Sequence, residues 1–93
     1  MIQPYVYKFE APEELTNDEM LEIWGLHGRG SQLKQVYPEK DGDPILYVLH
    51  TPARLTDDQY RSIMPLVTYV GGSGSKSWHH FDKEAKEISE VVQ

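Results

Sequence analysis

The chain has 93 residues, no cysteine, and 15 acidic against 9 basic side chains, a net charge of −6. This length allows one domain with a modest core, and the missing cysteine excludes disulfides, thiolate metal sites and a cysteine nucleophile. The Lys and Arg residues are scattered singly, so the clustered bases that track phosphates are absent and no direct nucleic-acid partner is expected.

The opening residues MIQPYVYKFE carry neither the basic start nor the long apolar stretch of a signal peptide. No run approaches the roughly 18 apolar residues of a membrane span. The expectation is a soluble, cytoplasmic protein without a membrane partner.

Tyr5–Phe9 alternates, with Tyr5, Tyr7 and Phe9 on one face and Lys8 on the other, which predicts a first strand. Pro12 ends it, because proline cannot donate to a ladder. Thr16-Asn17-Asp18-Glu19 has the pattern of a capping box and starts a helix, with Leu15 placed to staple against Met20. Met20, Ile23 and Trp24 form its predicted buried stripe, and Gly25 discourages continuation.

Gln32–Tyr37 is a plausible second strand, and Lys40-Asp41-Gly42-Asp43 has the chemistry of a turn into the third. At that point the chain begins again. Residues 45–66 match residues 5–26 at an offset of forty, with identity at Tyr7/Tyr47, Pro12/Pro52, Leu15/Leu55, Thr16/Thr56, Asp18/Asp58, Ile23/Ile63 and Leu26/Leu66. Ile45–Leu49 is therefore a strand, apolar on both faces as a central strand is, and Thr56-Asp57-Asp58-Gln59 caps a second helix. Its stripe is Tyr60, Ile63 and Met64, and Pro65 stands where the first helix has Gly25.

Two segments compete for the fourth strand: residues 67–70 and 77–81. Aligning Gly30-Ser31…Tyr37 with Gly74-Ser75…Phe81 favours the later one. Residues 71–76 between them read as a flexible Gly/Ser loop. Lys76-Ser77 fails the phosphate-loop pattern, which needs glycine where Ser75 stands and a helix afterwards. Residues 82–92 are predicted as a C-terminal helix with Ala85, Ile88, Val91 and Val92 on one side.

The order strand–helix–strand–strand–helix–strand, repeated internally, predicts a single α+β domain over residues 1–93. The expected fold is a ferredoxin-like duplicated βαβ: an antiparallel sheet with both helices on one face, plus the terminal helix. The other sheet face would then expose Val6, Leu46 and Val48, an apolar patch that needs the terminal helix, a second copy or a partner to cover it. Inverted parity would instead turn Tyr5, Tyr7 and Tyr47 outward. That arrangement resembles the base-stacking face of RNA-recognition-motif domains, although residues 43–49 lack their basic-glycine-aromatic pattern.

Glu10, Glu13, Glu14, Asp18, Glu19 and Glu22 fall within thirteen residues that contain no Lys or Arg. Acids at helix starts suit the dipole; the sharper reading is a surface for a basic protein, formed by Glu13, Glu14, Asp18 and Glu22. His79 and His80 are adjacent on a stretch with strand chemistry and would point to opposite faces, so no metal site is expected. No cofactor is implied either. The sequence therefore predicts a non-enzymatic, acidic protein-binding module, an inhibitor or adaptor acting on a basic, nucleic-acid-binding protein, with self-association through Val6, Leu46 and Val48. The rival is a small enzyme using His50 with His79 or His80; in length and topology the chain resembles dimeric α+β-barrel isomerases and monooxygenases.

Overall fold

The structure, a computed structural model, describes residues 4–74 and residue 78. Its elements are β1 (Tyr5–Ala11), α1 (Asn17–Trp24), β2 (Gln32–Val36), β3 (Ile45–Thr51), α2 (Asp57–Ile63) and β4 (Thr68–Gly72). The strands form one antiparallel sheet in the order β2-β3-β1-β4. This α+β arrangement is compatible with a ferredoxin-like fold. No helix among the described residues is long and apolar enough to cross a membrane.

Both capping boxes form. Thr16 Oγ1 accepts from Glu19 N–H while Glu19 Oε1 accepts from Thr16 N–H, and Thr56 and Gln59 repeat the exchange. Four otherwise unsatisfied helix-end donors are thereby provided for. Helix α1 stops at Trp24 with Gly25 as its cap, and α2 stops at Ile63, just before Met64 and Pro65.

The alternation in β1 and β3 settles which face is inside. Tyr7, Phe9, Ala11, Tyr47, Leu49 and Thr51 are buried, and Ile23, Tyr60 and Ile63 join the same core from the two helices. Tyr7 and Tyr47 thus lie beneath the helices, and the inverted parity that a base-stacking face requires does not occur. Val6, Leu46 and Val48 lie on the open side.

The β1–β3 register is symmetric about the pair Lys8–Val48. Lys8 pairs with Val48, Tyr7 with Leu49 and Phe9 with Tyr47, so the pairing maps onto itself when positions are exchanged at the offset of forty. Tyr7 Oη accepts from the Leu55 N–H at 2.7 Å, and Tyr47 Oη accepts from the Leu15 N–H at 2.9 Å. Each repeat's tyrosine therefore satisfies a buried donor of the other. A buried N–H without such a partner is expensive.

The fourth strand departs from the expectation. Gln32 pairs with His50, so the offset alone would pair Gly72 with Glu10; instead Glu10 pairs with Thr68. The cause is loop length. Residues 25–31 connect α1 to β2, whereas only residues 64–67 connect α2 to β4. The chain enters the sheet four residues early, and an even slip leaves Tyr69 facing the helices. The strand is Thr68–Gly72, which overlaps the candidate 67–70; apart from Trp78, the candidate 77–81 lies outside the described residues.

The glycine run is correspondingly not all connector. Gly71 and Gly72 belong to β4, with φ of 157° and 120°. A Cβ on Gly72 would collide with the Val6 carbonyl, and one on Gly74 with the Tyr7 ring. Glycine is needed because the chain passes directly over β1 there. Beyond it, Trp78 is fully buried on the helix side, not in the sheet. Its ring stacks on Tyr60 at 4.4 Å and Tyr7 at 4.9 Å, meets Tyr69 edge-on at 5.3 Å, and donates its indole N–H to Asp57 Oδ1 at 2.9 Å. The expected terminal helix over residues 82–92 lies outside the described residues.

Candidate binding surface

The acidic run divides among separate environments once folded. Glu10 lies on the open sheet face opposite Leu46 and Thr68. Glu19 is committed to its capping box. Glu14 is exposed, but its Oε1 accepts from Tyr37 Oη at 2.8 Å and from Gln35 Nε2 at 3.4 Å, which ties the β1–α1 loop to β2. Glu14 in turn holds the Tyr37 phenol above its ordinary pKa, because the hydrogen bond favours the protonated form. Gln35 Nε2 also reaches Tyr47 Oη. Glu13, Asp18 and Glu22 are exposed, the last two one turn apart on α1.

The stripe predicted for α1 holds at two of its three positions. Ile23 is buried and Met20 packs against the core, but Trp24 is 39% exposed. Its indole N–H donates to the Ser31 carbonyl at 3.1 Å, which holds the ring at the rim beside β2. Leu21, outside any predicted stripe, is 61% exposed. Together with Asn17, Met20 and Leu33 these two line an open groove of about 500 Å³. Sequence reasoning missed this groove. The available signal was Leu21, a large apolar residue next to the acids of α1.

On the open sheet face Val6, Leu46 and Val48 are half-buried, with Val36 and Val70 more exposed beside them. The patch is broken by charge, since Val48 lies between Lys8 and Lys34. His50 shares this face, between Val6 and Gln32. His79 and His80, its proposed companions, lie outside the described residues. Among the described residues, no group of three His, Cys, Asp or Glu side chains is placed to hold a metal ion.

Comparison with protein-family models, with curated proteins and with solved structures finds no match. The chemistry of the surface is therefore the only guide to function.

Proposed function

We propose that this chain is a ferredoxin-like domain built from two copies of one βαβ unit, and that it acts as a non-enzymatic protein-binding module. In this reading it is an inhibitor or adaptor that meets a basic, nucleic-acid-binding protein through Glu13, Glu14, Asp18 and Glu22. The reciprocal Tyr7–Leu55 and Tyr47–Leu15 hydrogen bonds support the duplication.

The observation that carries the functional reading is Glu22. Acids in the first turn of a helix, such as Asp18 and Glu19, are explained by the dipole, but Glu22 stands near the carboxyl end, where α1 has no basic residue. At that end the helix dipole favours a cation, not an acid. Helix α2 has Arg61 in its last turn. An acid placed against the local electrostatics is better explained by a partner. Self-association through Val6, Leu46 and Val48, and a cytoplasmic location, belong to the same proposal.

The test compares partners retained from lysate by the wild type and by the double variant Glu13→Lys/Glu22→Lys, which touches neither cap nor the Glu14 contacts. The expected result is a basic protein held by the wild type, released at high salt and lost from the variant. Identical partners for both proteins would refute the reading.

A further inference from the structure

Among the described residues, the two halves of the molecule differ where Trp78 sits. In the second repeat its ring lies against Tyr60 of α2 and Tyr69 of β4, and its N–H is taken by Asp57. The equivalent positions of the first repeat can be identified residue by residue. Asn17 stands forty residues before Asp57, and Met20 forty before Tyr60. Leu33 pairs with Leu49 as Tyr69 pairs with Phe9, and Leu49 is the counterpart of Phe9. Asn17, Met20 and Leu33 are three of the residues that line the groove beside α1. The groove thus carries the first repeat's counterparts of three of the four residues that seat Trp78; the counterpart of the fourth, Tyr7, is Tyr47, which is buried.

We infer that this groove is a docking site for a tryptophan carried by a basic segment of a partner protein. The argument rests on the binding role proposed above and names what that surface holds. The filled seat shows which side chain suits this geometry: a flat aromatic ring with one N–H donor. Asn17 is the counterpart of Asp57, whose Oδ1 accepts that donor, and an amide oxygen accepts as a carboxylate does. Met20 replaces the stacking tyrosine with a thioether, which packs well against aromatic rings. The volume is within the usual range for a small-ligand pocket, roughly 300–1,000 Å³.

Access and charge agree with an outside occupant. Strand β2 is a sheet edge, so the groove opens sideways. Asp18 and Glu22 flank Leu21 on the exposed side of α1, which favours Lys or Arg around the tryptophan. A second copy of this chain, at a net charge of −6, would bring charge of the same sign to that rim.

The test uses a blocked peptide, Lys-Lys-Ser-Trp-Ser-Lys-Lys, and its counterpart with alanine for tryptophan, titrated into the full chain and followed by NMR. The expected result is saturable shifts at the Met20 and Leu33 methyls and the Asn17 side-chain amide. The alanine peptide should bind roughly tenfold or more weakly, as for loss of an interface anchor. Leu21→Gln, a change at an exposed position, should weaken the tryptophan peptide alone. Equal binding of the two peptides would overturn the groove and leave the acidic surface standing. No binding by either would overturn both. Groove shifts that arise on concentrating the protein without peptide would place a second copy there and also refute the inference.

Discussion

Glu19 and Gln59 occupy the same place in two capping boxes, yet only one of them is replaceable by the other. Gln59 accepts from Thr56 N–H through Oε1 and donates through Nε2 to the Leu26 carbonyl, which links the end of α1 to the start of α2. A carboxylate at residue 59 could keep the first contact but would face the carbonyl oxygen with no proton to give. Gln59→Glu should therefore lower stability by about 1–3 kcal/mol, the usual result of setting an acceptor against an acceptor. Glu19→Gln should change it by less than about 0.5 kcal/mol, since among the described residues its side chain makes no second hydrogen bond. Chemical denaturation of both variants checks the contrast. The box pattern itself was legible at both sites, because Thr and Glu/Gln stand at fixed spacing. The link to Leu26 was not, because the two residues meet only when the helices pack.

At the scale of elements, β1, β3 and the two helix starts were readable because each signal is local: alternation, proline, and a cap three residues from its partner. The fourth strand was not. The offset of forty is reliable only while the connections have equal length, and the shorter loop after α2 breaks it. The same applies to the glycines, whose purpose is a close approach between β1 and the chain beyond β4. Gly74→Ala tests this account. Its Cβ would enter the Tyr7 ring, so Tyr7 or the chain carrying Trp78 must move. The expected loss is about 1–3 kcal/mol, as for overpacking, with a red shift in tryptophan emission as Trp78 is loosened. Unchanged stability and emission would mean that Gly74 and Trp78 do not pack against Tyr7 as described.

For the whole molecule, the burial of Tyr7 makes stability depend on keeping its phenol protonated. Burial raises the Tyr7 pKa above its ordinary value of 10.0, partly offset by the Leu55 N–H and the charge of Arg54. A group whose folded pKa is raised contributes its full stability below the unfolded value and loses it as pH climbs through the folded one. Urea midpoints should thus stay level from about pH 8 to just below 10 and fall beyond it. Tyr37, raised by its bond to Glu14, adds to the same alkaline limb. Tyr7→Phe should be less stable at neutral pH, because Leu55 N–H loses its acceptor, but should decline less steeply above pH 10. A parallel decline in both proteins would show that Tyr7 does not titrate in this way.

The sequence by itself determined the α+β class, both helix starts, the buried parity of β1 and β3, and the likeness of the two halves. Each of these follows from spacing within a few residues or from identity at one offset. Tertiary structure alone decided that the halves would not be completed alike. The second repeat folds Trp78 onto Tyr60, Tyr69 and Asp57, whereas the first leaves Asn17, Met20 and Leu33 facing an open groove. That difference depends on a loop length and on where a distant side chain comes to rest. No local pattern records either.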